Sequence, residues 1–112
     1  MKKVENKILL TLIERIILFN LLPQQGDFKS LIIVDDIRKK IGLNQLEIEK
    51  YEVKTEGKGV SWNEKGDKAK FDYEFTSLEK NEIKLCFEEI NKSKKATIGM
   101  LPLLKKFNIS IG

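Results

Sequence analysis

The spacing of apolar residues changes period along the chain, and this change constrains the fold more than any other feature. Between residues 28 and 41 the apolar residues recur every three or four positions, the spacing of one buried helical face. Phe71, Tyr73 and Phe75 instead alternate with polar residues, as in a strand with one covered face. Helical spacing returns after Thr76. The pattern predicts an α+β fold, with N-terminal helices, a small three-stranded antiparallel sheet and a C-terminal helix.

Capping-box patterns place the starts of three helices. They are Thr11 with Glu14, Asn44 with Glu47, and Thr76 with Glu79. The first helix is expected to end before Pro23, with Ile13 and Asn20 on one side and Leu18 on the outer side. The second is expected over residues 28–41, followed by Gly42 in a left-handed cap.

Short segments with glycine and proline interruptions fill the rest of the chain. Residues 51–55 and 60–63 flank a turn containing Gly57 and Gly59, which predicts a hairpin with positive φ at these glycines. Residues 63–68 are expected to be a polar turn. Residues 97–107 are apolar but carry Gly99 and Pro102, which predicts a kinked or short helix. We expect one domain over residues 1–112, with about 96–112 as a separate helical tail.

The residues needed for common catalytic chemistry are missing. The chain has no histidine and one cysteine, Cys86, which is expected to be a buried, inert thiol on a helix face. Asp35 and Asp36 are adjacent and therefore point in different directions. No phosphate-binding, dinucleotide-binding or nucleophile motif is present. We expect a protein that is not an enzyme, takes no cofactor or metal, and resides in a reducing compartment, the cytoplasm.

The apolar run between Ile8 and Leu22 is interrupted by charge and is shorter than a membrane span, so no membrane association is expected. The net charge is +4, and residues 92–112 hold five lysines and no acid. Such an end suits an anionic or apolar partner, and also self-association as a homodimer. A protein partner is expected to contact apolar and basic residues in three places. The expected contact residues are Leu18 on the first helix, Trp62 on the hairpin, and Met100, Leu101, Leu104, Lys105 and Lys106 in the last apolar stretch.

A winged-helix-like DNA-binding regulator is the alternative. Residues 44–50 would form the reading helix and residues 51–63 the wing. The reading helix carries Glu47 and Glu49, whereas phosphate binding needs a basic surface. The residues available for nucleic acid are Gln45, Lys50, Lys54, Lys58, Lys65, Lys68 and Lys70.

The N-terminal half also shows an unusual spacing of glutamate, arginine, proline and glycine. It reads Glu14-Arg15-Ile16, Leu21-Leu22-Pro23, Ile41-Gly42-Leu43 and Val60 with Trp62-Asn63. In this spacing the chain resembles a set of small uncharacterised proteins encoded by bacteriophages and prophages. It departs from them at Ile13, where many have proline, and in a less charged last helix. The resemblance implies a phage accessory protein in a bacterial host and no known activity. Together with the missing chemistry, it favours a protein-binding module that modulates, as an inhibitor for example, a host or defence process.

Overall fold

The computed structural model describes residues 7–57 and 59–110, and it confirms the α+β class. Its elements in chain order are β1 (Lys7–Thr11), α1 (Leu12–Leu21), α2 (Phe28–Ile41), α3 (Gln45–Lys50), β2 (Lys54–Glu56), β3 (Gly59–Ser61), α4 (Glu64–Lys68), β4 (Lys70–Glu74), α5 (Ser77–Lys92), a 3₁₀ turn (Ile98–Met100) and α6 (Leu101–Lys106). All three capping boxes form, at the starts of α1, α3 and α5. No helix among the described residues is long and apolar enough to cross a membrane.

The expected three-stranded sheet is wrong, because the strands form two separate antiparallel pairs. β1 pairs with β4, with Lys7 opposite Glu74, and β2 pairs with β3, with Thr55 opposite Val60. β1 was not predicted. Its inward residues Ile8 and Leu10 are separated by an apolar Leu9, which hides the alternation of a strand.

Residues 63–68, expected to be a polar turn, contain the short helix α4. The side chain of Asn63 caps it by accepting the backbone N–H of Gly66 at 2.9 Å. Gly66 is buried, and a Cβ atom there would lie 3.0 Å from Leu12 and 3.1 Å from both Trp62 and Tyr51. The glycine therefore allows α4 to approach the body of the protein closely.

The predicted orientation of α1 is wrong. Leu18, expected on the outer face, is fully buried, whereas Ile13 is 41% exposed and Asn20 is exposed. Glu14 and Arg15 also face inward. Both charged side chains have partners inside the protein, which makes their burial tolerable.

The glycines explain two turns. Gly57 has φ of +58° in the hairpin turn, as predicted, while Gly59 lies in β3 without positive φ. The left-handed cap expected at Gly42 is wrong, because its φ is −64°. Glycine is needed there for space, since a Cβ atom would lie 2.8 Å from the carbonyl oxygen of Arg38 and 3.2 Å from the Phe19 ring.

One hydrophobic core joins both ends of the described chain. It includes Leu10 of β1, Ile37 of α2 and Ile83 of α5. Leu103 of α6 and Phe107, within the segment expected to be a tail, belong to the same core. The short-helix prediction for residues 97–107 is confirmed by the 3₁₀ turn and α6, and Leu103 fixes α6 against the core.

Candidate functional site

Cys86 is the single cysteine of the chain, and its surroundings keep its thiol protonated. Burial, with a smaller effect from Glu82, raises the pKa of the Cys86 thiol to about 11. A thiol attacks as the thiolate, so little of the reactive form exists at neutral pH. Among the described residues, no three side chains of the metal-ligating types cluster as they would around an ion.

Arg15 forms a buried clamp between α1 and the junction of α2 with α3. Its Nε donates to the carbonyl oxygen of Ile41 at 3.0 Å, and Nη2 donates to that of Gly42 at 3.0 Å. Nη1 and Nη2 bind the two carboxylate oxygens of Glu47 at 2.9 and 3.0 Å. The guanidinium also lies 4.5 Å from the centre of the Phe71 ring. These contacts use four of its five N–H donors, so the clamp is a structural element.

Each capping-box glutamate has a second, distant partner. Glu14 binds Lys106 of α6, and Glu79 binds Lys40 of α2 at 2.7 Å. Glu47 binds Arg15, and this hydrogen bond is the main reason that the pKa of Glu47 lies below its usual range. Each helix start is thereby tied to another element. Lys106, predicted as a partner contact, is committed to Glu14.

A cleft of about 550 Å³ lies above this clamp, between α1, the α2–α3 junction and the hairpin. Its walls are mainly apolar, and Thr55 and Val60 form a cross-strand pair on its hairpin side. The lining residues are Arg15, Ile16, Phe19, Asn20, Ile41, Gly42, Leu43, Ile48, Val53, Thr55 and Val60. Because Glu47 and two carbonyl oxygens take four of the five N–H donors of Arg15 and neutralise its charge, it offers little to orient a charged ligand.

A second feature is an exposed apolar surface where α1 meets the C-terminal helices. We call it the C-terminal patch; it comprises exposed Ile13, Ile98 and Leu101 together with Ile17 and Met100, which are half-buried against the core. Ile98 is 85% exposed and Leu101 is 51% exposed. The 3₁₀ turn contacts α1, and a Cβ atom on Gly99 would lie 3.4 Å from Ile17. Ile13 lies one turn before Ile17 on the same side of α1.

Lysines flank this patch along the chain, and we call Lys94, Lys95 and Lys105 the basic rim. All three are exposed. Lys105 lies one helical turn after Leu101, and Lys95 lies three residues before Ile98. Residues 90–112 contain no acid. The patch therefore combines an apolar centre with charges of one sign.

The structure brings together some of the predicted partner contacts and separates others. Met100, Leu101 and Lys105 meet at the C-terminal patch. Leu104 is half-buried against the core, and the prediction for Leu18 is wrong because the side chain has no exposed surface. Trp62 is half-buried beside α4.

Sequence reasoning missed Ile13 and Ile98. Ile13 had been assigned to the side of α1 opposite the outer face. Ile98 lies three and four residues after Lys95 and Lys94, and this closeness to charged residues was the signal that could have indicated its exposure.

The residues predicted for nucleic acid are spread over α3, the hairpin, α4 and β4. Several have partners, since Gln45 donates to Glu49 at 3.1 Å and Lys68 pairs with Glu64 at 3.3 Å. Lys50 lies over the Tyr51 ring at 5.4 Å. All six described members are exposed, Lys54, Lys65 and Lys70 among them, and Lys58 lies outside the described residues.

Comparison with known proteins adds no assignment to this geometry. No family model, curated protein or solved structure matches the chain. The resemblance to phage-encoded proteins stays a prediction.

Proposed function

We propose that this chain is a non-enzymatic accessory protein of phage or prophage type that binds another protein through the C-terminal patch. The observation that carries the proposal is that Ile98 and Leu101 are exposed on elements that contact α1, where Ile13 is also exposed, and that the lysines of the basic rim flank them in sequence. Grouped apolar side chains of this kind mark interaction sites more often than isolated ones do. The setting we propose is the cytoplasm of a bacterial host, where binding would modulate a host or defence process.

The size of the patch sets its role in such an interface. Complete burial of an isoleucine or leucine side chain contributes roughly 1.5–3 kcal/mol. A stable complex buries about 1,200–2,000 Å² in total, more than a few side chains provide. The patch would therefore be the apolar centre of a larger contact, with Lys105 and its neighbours at the polar edge.

Partner capture with paired variants tests the proposal. Tagged protein is incubated with lysate of a bacterial host, and bound proteins are identified by mass spectrometry. The test variant carries Ile98→Glu and Leu101→Glu. The control carries Phe28→Glu and Ile32→Glu on α2, which are 86% and 65% exposed and introduce the same charge.

We expect one specific partner that wild type and the α2 variant retain and that the patch variant loses. Circular dichroism of each variant checks that the fold is kept. Recovery of the same partner by the patch variant, or no specific partner with wild type, would count against the proposal.

DNA binding is a second candidate, favoured by the exposure of Lys54, Lys65 and Lys70 on neighbouring segments of the chain. Size-exclusion chromatography with light scattering, alone and with duplex DNA over a salt series, distinguishes the two. DNA retardation at low salt that is released at high salt would favour the regulator. A particle of twice the monomer mass that Ile98→Glu dissociates would show that a second copy occupies the patch.

A further inference from the structure

We infer that the partner segment that docks on the C-terminal patch is an acidic amphipathic helix. This inference rests on the proposed function and specifies the chemistry of the partner. The patch offers apolar side chains at helical spacing on two adjoining elements, Ile13 with Ile17 and Ile98 with Leu101. An amphipathic helix presents its own apolar residues at matching intervals, which is the usual helix-in-groove mode.

The charges around the patch determine which sign of net charge the partner helix should carry. Lys94, Lys95 and Lys105 are exposed and follow the last acid of the chain, Glu89. Glu14 is the acid that α1 carries between Ile13 and Ile17, but it is buried and binds Lys106. The free charge at the edge of the patch is therefore positive. A basic partner would be repelled, whereas an acidic partner would gain complementary contacts.

Exposed acids could cancel the charge of the basic rim, and those nearest to it in sequence lie at the end of α5. Glu88 and Glu89 lie in the last turns of α5 and are exposed. They precede Lys92, which is in the last turn of α5, and the two rim lysines that follow the helix. Lys105 lies on α6, one turn from Leu101. The side of the patch formed by α6 thus has cations without a sequence neighbour of opposite charge.

Rim charges of this kind act mainly on specificity and association rate. Individually, exposed ion pairs contribute little to affinity. Several positive charges around an apolar centre attract an acidic segment at distances of about 10 Å, and salt screens that attraction. Binding of an acidic helix should therefore weaken as salt rises and should depend on the rim lysines. Docking on apolar side chains alone would show neither effect.

Two synthetic peptides and two protein variants test it. Both peptides form an amphipathic helix of about four turns with leucines at helical spacing. One carries glutamate around the leucines and the other carries glutamine at the same positions. Binding of each fluorescent peptide to the full chain is measured by anisotropy from about 50 to about 300 mM NaCl.

The rim variant carries Lys94→Glu, Lys95→Glu and Lys105→Glu. Its control carries Lys54→Glu, Lys65→Glu and Lys70→Glu, which changes the net charge by the same amount on exposed residues elsewhere. We expect the glutamate peptide to bind wild type and the control at least about tenfold more tightly than the glutamine peptide at low salt. The rim variant should lose this preference, and Ile98→Glu with Leu101→Glu should lose both peptides.

Equal binding of the two peptides, or a preference kept by the rim variant, would overturn the inference. So would binding to anionic lipid vesicles that depends on both Ile98 and the rim, because the occupant would then be a membrane surface. Lysate capture separates this result from the proposed function. A partner lost by the patch variant leaves the proposed function standing even when the peptides bind equally.

Discussion

Replacing Arg15 with alanine should destabilise the protein strongly. The side chain is 2% exposed, and it donates four hydrogen bonds, two to the Glu47 carboxylate and two to main-chain carbonyl oxygens. Removing one partner of a buried ion pair costs about 3–5 kcal/mol, because the other charge and the carbonyl oxygens are left without it. Small domains are stable by only about 5–15 kcal/mol, so much of the total would be lost.

Urea unfolding measures this loss, with fluorescence of Trp62, the one tryptophan of the chain, as the probe. The control is Lys39→Ala, which removes an exposed pair with Asp35, where the N–O distance is 3.0 Å. That variant should lose no more than about 0.5 kcal/mol. A loss below about 1 kcal/mol for Arg15→Ala would refute the clamp, since the pair would then behave as a surface salt bridge.

The pH dependence tests the same pair independently. The hydrogen bond from Arg15 lowers the pKa of Glu47 in the folded protein. Its contribution to the free energy of unfolding is therefore complete above the unfolded pKa and is lost as pH falls through the folded pKa. The stability difference between wild type and Arg15→Ala should be large at pH 7 and shrink below about pH 4. A difference that stays constant down to pH 2 would contradict this linkage.

Three further variants or probes address single features. Gly42→Ala should lose about 1–3 kcal/mol in urea unfolding because its Cβ would meet the Arg38 carbonyl oxygen at 2.8 Å, while Gly26→Ala, with nothing within 4 Å, should be neutral or slightly stabilising. Lys94→Gly should raise the melting temperature because Lys94 has φ of +58°, whereas Lys95→Gly, without positive φ, should lower it; the opposite order would refute the strain argument. Cys86 should react with a maleimide at neutral pH far more slowly in the native protein than in urea, since its side chain is buried and burial raises its pKa to about 11; equally fast labelling of native protein would contradict this.

The starts of α1, α3 and α5 and both bounds of α2 could be predicted because their signals are local. The bounds of α2 follow from apolar spacing and from Gly42, and the three capping boxes need only four consecutive residues each. The glutamates of those boxes also bind Lys106, Arg15 and Lys40. These partners lie more than 30 residues away in sequence, so local patterns could not supply them.

The pairing of β1 with β4 and the orientation of α1 could not be predicted for the same reason. β1 bonds to a strand about 60 residues later, with Leu10 opposite Phe71. The α1 sequence is apolar on both sides, so periodicity leaves its buried face undecided. The partners of Arg15 and Glu14 determine which face is buried, because a charged side chain can face inward only where a group of opposite charge pairs with it.

The orientation of α1 also bears on function. In α1, Glu14 and Arg15 are buried while Ile13 is partly exposed. Burial of apolar surface alone would favour the opposite arrangement, because a buried ion pair is often no more stabilising than an apolar replacement. The ion pairs do fix the register of α1 against α3 and α6 through Glu47 and Lys106. With α1 held in this way, Ile17 lies beside the 3₁₀ turn, and the two elements together form an apolar surface that neither forms alone. The buried charges thus supply the rigid support on which the proposed binding surface depends.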